Sequence, residues 1–234
     1  MFTIANLITA CNLFFGCVAS LMLIQEHYWT AFLCILGAMI ADFLDGFIAR
    51  ALHQESPLGV QLDSLADIVS FGLVPGLICY QLLMTHQAQF PWIQGFAWIS
   101  FLLPIMAAFR LARFNIETQG ASSTFSGLPV PAMALFFCGL LTDFIASTYW
   151  SNLLVQPWFI VFYILVFSWL MISRLPIIKF YISKHWIQEH IILVISGLLC
   201  FGAAVLINLM FISFIIVIHI IYSLIYSSRQ KKII

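Results

Sequence analysis

Eight apolar stretches constrain the fold of this chain more than any other feature of its sequence. A helix needs about 20 mostly apolar residues to cross the hydrocarbon core of a bilayer. The stretches cover residues 4–25, 29–50, 58–84, 91–113, 127–149, 157–173, 188–206 and 210–227. Short polar or proline-containing segments separate them. The pattern therefore predicts an all-α integral membrane protein with about eight transmembrane helices.

Composition excludes the soluble alternatives. Of the 234 residues, 63% are hydrophobic and 8% are charged, whereas soluble domains contain about 25% charged residues. A soluble domain of this length needs a polar surface, because much of its surface faces water in any fold. We therefore exclude a soluble globular enzyme, a disordered chain and a disulfide scaffold. The net charge of zero also gives no reason to expect a nucleic-acid partner.

The basic residues all lie at the end of an even-numbered stretch or in the segment that follows it. With eight spans, they lie together on one side of the membrane, which the positive-inside rule identifies as cytoplasmic. We therefore predict that both termini are cytoplasmic. We also predict one domain over residues 1–234, with a core at roughly 1–173 and an additional helical hairpin at roughly 186–228. The basic residues are Arg50, Arg110, Arg113, Arg174, Lys179, Lys184, Arg229, Lys231 and Lys232.

Four aspartates lie inside the second and third stretches, where acidic side chains are costly and usually indicate function. Asp42 and Asp45 share one helix face, and so do Asp63 and Asp67, because their spacings are i,i+3 and i,i+4. The short connection at 51–57 forces the two helices into an antiparallel hairpin. We therefore expect four carboxylates to converge just below the cytoplasmic surface.

Such a cluster is suited to divalent cations. Four carboxylates in a low-dielectric pocket repel one another and must take up protons or bind cations. Their oxygens suit hard ions such as Mg²⁺ or Mn²⁺, and four carboxylates are enough to bridge two of them. Gly46 and Gly59 leave the backbone bare beside the aspartates, where a bulky ligand can approach closely. Ala49 keeps the same face small.

The pattern from Asp42 to Asp67 resembles the signature of the CDP-alcohol phosphatidyltransferase family. Written as D-x2-D-G-x2-A-R-x8-G-x3-D-x3-D, it matches at every fixed position. The resemblance implies a helical membrane enzyme, usually a homodimer, in which the four aspartates hold two divalent metals. It also implies transfer of a phosphatidyl group from a CDP-activated lipid to an alcohol, with release of CMP. The fixed positions between the aspartate pairs are Gly46, Ala49, Arg50 and Gly59.

Three further stretches are most similar to family members that use L-serine as the alcohol. They run from Gln61 to Gly72 and on to Pro75, from Ala108 to Asn115, and from Phe125 to Pro131. The resemblance thus implies CDP-diacylglycerol and L-serine as substrates. It further implies a multi-pass protein of the cell (inner) membrane whose active site faces the cytoplasm.

The resemblance also implies roles for individual residues. Asp67 is the general base that accepts the proton of the acceptor hydroxyl, as the last aspartate of the family usually does. The early segment with Asn6 and Thr9 is similar to the family as well, although Ala5 stands where a proline is common. The metal ligands are then Asp42, Asp45, Asp63 and Asp67. The residues for the CDP-lipid are Gly46, Ala49, Arg50, Gly59, Asn6 and Thr9.

Arg110 and Arg113 share a helix face at the cytoplasmic end of the fourth stretch and allow two interpretations. They could anchor the helix under the positive-inside rule. Alternatively, they bind a lipid phosphate or the serine carboxylate, for which the forked guanidinium is well shaped. We predict the second role, and we place Ser70, from one of the serine-type stretches, in the same acceptor- or phosphate-binding group.

Two other functions stay open at this point. One keeps the chemistry and changes the acceptor to glycerol phosphate, inositol phosphate or choline. The other is a cation transporter, which would be expected to place acidic groups near the bilayer midplane on broken helices. The four aspartates lie instead at one face, beside the basic loops, so the sequence favours the transferase.

Overall fold

A computed structural model of the chain describes residues 3–117, 125–147, 153–177, 191–206, 209 and 211–230. Nearly all of these residues are helical, which confirms the predicted all-α class. We number the helices in chain order. They are α1 (Ile4–Ile24), α2 (Tyr28–Ala51), α3 (Pro57–Met84), α4 (93–117), α5 (Val130–Ala146), α6 (Pro157–Ile172), α7 (Ile191–Leu206) and α8 (Phe211–Gln230).

The helices fall into two groups by length. α1, α2, α3 and the part of α4 at Ile93–Ile116 are long and apolar enough to cross a bilayer. The remaining four carry shorter apolar segments of 10–17 residues. These segments are Val130–Ala146, Pro157–Ile172, Leu193–Gly202 and Phe211–Tyr226. The chain is therefore a multi-pass membrane protein in which the four full-length spans come first.

Helix α3 is irregular in its middle. It is α-helical over Pro57–Asp67, π-helical over Ile68–Leu73 and α-helical again over Val74–Met84. Pro75 follows the wide turn and has no backbone N–H to donate, so regular α-helical hydrogen bonding cannot continue through this point. The change in helix type thus begins directly after the last predicted aspartate.

Helix α4 crosses α3 closely at this irregular part. A Cβ atom added at Gly76 would lie 3.1 Å from Pro104 Cδ and 3.2 Å from the Ser100 carbonyl oxygen. The helix begins with Ile93–Phe96, tightens to a 3₁₀ segment over Ala97–Phe101 and continues as α-helix over Leu102–Glu117. The close crossing fixes where the later turns of α4 lie relative to Asp67.

Two short contacts join the ends of α4 and α6. The strands β1 (Phe125–Ser126) and β2 (Pro176–Ile177) pair antiparallel. Arg113 Nη1 donates to the Ile172 carbonyl oxygen at 2.8 Å. Gly127 has a φ of 84°, a backbone conformation that favours glycine. It also packs on the Met171 carbonyl, so a side chain at this position would clash with that oxygen. These ends consequently lie on the same side of the bundle.

The last helix, α8, packs on α5, and α7 packs on α8. Ser213 Oγ donates to the Phe136 carbonyl oxygen at 2.7 Å, and Gly139 leaves room for Ser213 against the helix. The one-sided distribution of basic residues stays a prediction. Lys179, Lys184, Lys231 and Lys232 lie outside the described residues.

Candidate active site

The predicted aspartates meet where the end of α2 faces the start of α3. Asp42, Asp63 and Asp67 each offer a carboxylate oxygen, and the three oxygens lie within 4.8 Å of one another. Asp45 lies outside this triad but close enough to Asp42 and Asp63 for their charges to interact. The helix hairpin therefore brings the carboxylates together as the spacing predicted, as a triad with a fourth group beside it.

The carboxylates fit a divalent-cation site. Asp45 and Asp67 are only 5% and 7% exposed. Asp45 Oδ2 and Asp63 Oδ1 are buried and accept no hydrogen bond within the described parts of the chain. Buried oxygens without a partner are costly, and like charges at this separation repel. Oxygen-only ligands in this arrangement are what Mg²⁺ and Mn²⁺ bind in proteins, so the triad could hold a metal ion.

A pocket of about 230 Å³ opens beside the aspartates. It lies between the first turns of α1, the last turns of α2 and the start of α3. All six residues that the sequence predicts for the CDP-lipid are in its wall, together with two of the aspartates. These residues are Asn6, Thr9, Asp45, Gly46, Ala49, Arg50, Gly59 and Asp63.

Two helix N-termini contribute to this pocket because the sequence starts both helices there. Thr3 caps α1 by accepting from the Asn6 N–H at 3.2 Å, and Ser56 caps α3 by accepting from the Gly59 N–H at 3.0 Å. Pro57 at the first position of α3 strengthens the second start. The N-terminal ends of helices carry positive partial charge, so they favour an anionic group in the pocket.

The glycines keep the pocket open. A Cβ atom on Gly59 would lie 3.0 Å from Asn6 Oδ1 and 3.2 Å from Ser56 Oγ. At Gly46, the nearest group to an added Cβ is the Arg50 guanidinium, with Nη1 at 3.5 Å. A larger residue at Gly59 would therefore displace polar groups of the pocket wall, and Arg50 lies directly over the Gly46 backbone.

The two arginines of α4 differ in their surroundings. Arg110 is 6% exposed, lies near enough to Asp67 for their charges to interact, and has its guanidinium carbon 6.0 Å from the centroid of the Phe114 ring. Its Nε donates no hydrogen bond within the described residues. Arg113 instead directs Nη1 to the Ile172 carbonyl. A second cavity, of about 240 Å³, has Phe109, Arg110, Arg113 and Ile172 in its wall.

Ser70 lies in the wall of neither of these two cavities. It is fully buried between α1 and α3, where its hydroxyl donates to the Asn12 carbonyl oxygen at 3.0 Å. Gly16 packs against it from α1. Its only described hydrogen-bond partner is therefore the backbone of α1.

The sequence did not identify Asn12 or Asn115. Asn12 Nδ2 donates to Asp67 Oδ1 at 3.4 Å, and Asn115 Nδ2 donates to Ser64 Oγ at 2.9 Å. The available signal was the polar series Asn6, Thr9 and Asn12, one turn apart in an otherwise apolar helix. A polar residue in a span usually faces a neighbouring helix rather than lipid, but which helix it faces depends on the packing.

The site combines membrane helices, a carboxylate cluster and an adjoining pocket. A comparison with known protein families gives a result that agrees with this arrangement. The sequence model of the CDP-alcohol phosphatidyltransferase family matches residues 2–226. The chain therefore belongs to this family of membrane-embedded transferases, as the spacing of its aspartates indicated.

Curated relatives are named CDP-diacylglycerol–serine O-phosphatidyltransferase. One from Helicobacter pylori (strain ATCC 700392 / 26695) is 34% identical over 146 residues, which are 61% of this chain and 60% of that protein. One from Bacillus subtilis is 34% identical over 143 residues, 61% of this chain and 75% of the relative. One from Methanocaldococcus jannaschii is 33% identical over 150 residues, 62% of this chain and 65% of the relative. The chain thus aligns with 60% of the length of the Helicobacter protein.

Proposed function

We propose that this protein transfers the phosphatidyl group of CDP-diacylglycerol to the hydroxyl of L-serine, giving phosphatidylserine and CMP. The observation that carries the proposal is the carboxylate triad beside a pocket formed by two helix N-termini and an arginine. The family membership supports the reaction class. The names of the relatives from three distant organisms support serine as the acceptor.

The pocket suits a lipid with a charged head group. It lies at the ends of apolar helices, so the diacylglycerol tails can stay in hydrocarbon while the CDP group reaches water. The diphosphate is anionic, and the N-terminal ends of α1 and α3 favour a negative group at this position. Arg50 adds a full positive charge. We assign Asn6, Thr9, Gly46, Ala49, Arg50 and Gly59 to this substrate.

The aspartates are assigned to the reacting centre. Asp42, Asp45, Asp63 and Asp67 would hold two divalent cations, Mg²⁺ or Mn²⁺, which when bound neutralise the diphosphate and stabilise the entering and leaving oxygens. A serine hydroxyl is barely ionised at neutral pH and needs a proton acceptor. We assign that role to the Asp67 carboxylate. The serine oxygen then bonds to the phosphatidyl phosphorus, and the bond from phosphorus to the CMP oxygen breaks.

The acceptor is assigned to the side of the site that α4 forms. Arg110 and Arg113 would bind the serine carboxylate or a lipid phosphate, and Arg110 is the better placed because it lies beside Asp67. Burial strengthens a guanidinium–carboxylate contact by removing competing water. We assign Ser70 to the same acceptor- or phosphate-binding group: its hydroxyl donates to the Asn12 carbonyl oxygen, and its oxygen can still accept a hydrogen bond.

We further propose a homodimer in the cell membrane with both termini and the active site on the cytoplasmic side. The position of the basic residues after even-numbered spans supports this orientation, and the family resemblance supports the dimer. Over its single domain, residues 1–173 would form the core and 186–228 the additional hairpin. A fluorescent protein fused to the C-terminus should fold and fluoresce, whereas alkaline phosphatase fused there should be inactive. Cross-linking in native membranes should give a band at twice the chain mass.

The deciding experiment measures CMP release by the purified protein with CDP-diacylglycerol, Mn²⁺ or Mg²⁺, and one alcohol at a time. We expect L-serine to support turnover at least roughly tenfold faster than glycerol phosphate, inositol phosphate or choline, because a site built to hydrogen-bond a carboxylate discriminates strongly against alcohols without one. Release with another alcohol and none with serine would reassign the acceptor. Metal uptake into liposomes without CMP formation would favour a transporter.

A further inference from the structure

Two adjacent hydrogen bonds between α1 and α3 both involve Asn12. Its side-chain Nδ2 donates to Asp67 Oδ1 at 3.4 Å. Its main-chain carbonyl accepts from Ser70 Oγ at 3.0 Å. One residue of α1 is therefore bonded both to the last aspartate of the cluster and to the π-helical segment that follows it.

The burial of Asn12 indicates that its side-chain amide is needed as a hydrogen-bond donor. The side chain is 0% exposed, and its Oδ1 accepts no hydrogen bond within the described residues. The opposite amide orientation would place that oxygen against the Asp67 carboxylate, which is repulsive. A buried amide with an unpartnered oxygen is costly, and an apolar residue would fill the same space without that cost. Packing alone therefore does not account for asparagine at this position.

The backbone around Asp67 explains why the carboxylate needs such a contact. Asp67 is the last residue of the regular α-helical segment, and the wider π-helical turn starts at Ile68. Wide turns of this kind are rare and often occur at functional sites. Gly16 allows α1 to approach the turn closely at Ser70. The bonds from Asn12 thus fix α1 against both sides of the point where the helix changes type.

We propose that Asn12 is a positioning residue for Asp67. By holding Oδ1, the amide keeps the carboxylate in the orientation in which it joins Asp42 and Asp63. The proposal rests on the proposed function, since positioning affects turnover only if Asp67 takes part in the reaction. Groups that orient a metal-binding carboxylate typically change metal affinity or activity by about 10- to 100-fold when they are removed.

The test compares Asn12→Leu, which removes the donor, with Asn12→Asp, which replaces it by a carboxylate that repels Asp67. Both should lower kcat for CMP release by roughly 10- to 100-fold, with KM for serine and for CDP-diacylglycerol within about twofold of wild type. Ser20→Ala is the matched control on the same helix. Among the described residues, Ser20 Oγ donates only to the Gly16 carbonyl one turn away, and its removal should leave both constants unchanged.

A second readout does not depend on turnover. Mn²⁺ binding to the detergent-purified protein, followed by electron paramagnetic resonance of the free ion, should be roughly tenfold weaker in Asn12→Leu than in wild type. A wild-type kcat per folded molecule together with wild-type Mn²⁺ affinity would overturn the proposal. A lowered thermal midpoint alone would show that Asn12 only packs α1 against α3.

Two precautions keep the outcomes separate. If Asn12→Leu does not fold, Asn12→Ala removes the donor with a smaller side chain and should show the same two losses; unchanged values would overturn the proposal equally. If the wild-type protein releases no CMP with any alcohol, the proposed function fails. The Mn²⁺ measurement then still decides whether Asn12 holds Asp67.

Discussion

The two halves of the molecule both bury apolar side chains, but they differ in where buried charged groups cluster. In the half formed by α1–α4, the helices meet through carboxylates, amides and an arginine, and this half contains every predicted site residue. In the half formed by α5–α8, aromatic rings dominate the described contacts, with Phe136 and Phe167 ring centroids 4.4 Å apart. Phe136 also packs edge-on against Tyr163 at 5.2 Å.

This difference indicates that the first half forms the candidate site and that the second half supports it by packing. Burying charged groups costs free energy, and the first half bears that cost where the carboxylates cluster. Aromatic packing adds favourable contact area without such a cost. In the described part of the second half, Asp143 is a fully buried carboxylate outside the cluster, so it offers a matched comparison for the site aspartates.

The largest expected effect is at Asp67. Asp67→Asn keeps the shape of the side chain and removes its ability to accept a proton, so CMP release should fall on the order of 10³-fold. The measurement is kcat per folded molecule with CDP-diacylglycerol and L-serine. Asp143→Asn makes the same change in the other half and should retain activity within about threefold. Equal losses of kcat in Asp67→Asn and Asp143→Asn would show that the two halves do not differ in their contribution to turnover.

Asp42→Asn should have the next largest effect. It converts a member of the triad into a poorer ligand, so CMP release should fall by roughly 10²-fold, and the dissociation constant for Mn²⁺ should rise. Titration with Mn²⁺ checks both quantities in one series. The triad would lose its assigned role if activity and metal affinity matched those of wild type.

Gly59→Val tests the pocket, and its expected effect is smaller than that of the two aspartate variants. The new side chain would enter space within about 3 Å of Asn6 and Ser56, so KM for CDP-diacylglycerol should rise by roughly tenfold while kcat changes less. Gly202→Val is the matched control in α7, where no atom of the described residues outside the local helix backbone lies within 4 Å of an added Cβ. An unchanged KM in Gly59→Val would exclude this pocket as the binding place of the lipid head group.

Phe136→Ala should have the smallest effect on turnover. It removes a ring that packs against Tyr163 and Phe167, so the free energy of unfolding should fall by about 3 kcal/mol. We expect kcat per folded molecule to stay within about twofold of wild type. A thermal unfolding curve in detergent and the CMP assay measure the two quantities. A large loss of kcat with an unchanged thermal midpoint would assign the second half a direct role.

The sequence predicts much of this architecture because its main signals are local. The long apolar runs and the polar segments between them place α2 and α3 within a residue or two of the observed bounds. The i,i+3 and i,i+4 spacings and the short connection predict that Asp42, Asp63 and Asp67 converge. Helix α5 is shorter than its predicted stretch of 127–149 because Val130–Ala146 begins at a proline-rich turn and ends at a left-handed Ser147.

The parts that the sequence does not predict depend on contacts between distant segments. The polarity of Asn12 is visible, but its hydrogen bond to Asp67 requires the packing of α1 on α3. The pairing of β1 with β2 joins segments that are separated by two helices. The π-helical turn after Asp67 reflects both Pro75 and the crossing with α4, and no local pattern distinguishes it from a regular helix.

That wide turn divides α3 into two surfaces with different partners. A π-helical turn holds one more residue than an α-helical turn, so everything beyond it is rotated by about 100° relative to a continuous helix. Asp63 and Asp67 face the cluster before the turn, whereas Gly72 within the turn and Gly76 beyond it receive α4. Deleting one residue from Ile68–Leu73 would restore a single register and turn one surface away from its partner. The extra residue thus lets one continuous helix present its aspartates to the cluster and its glycines to α4 on two different faces.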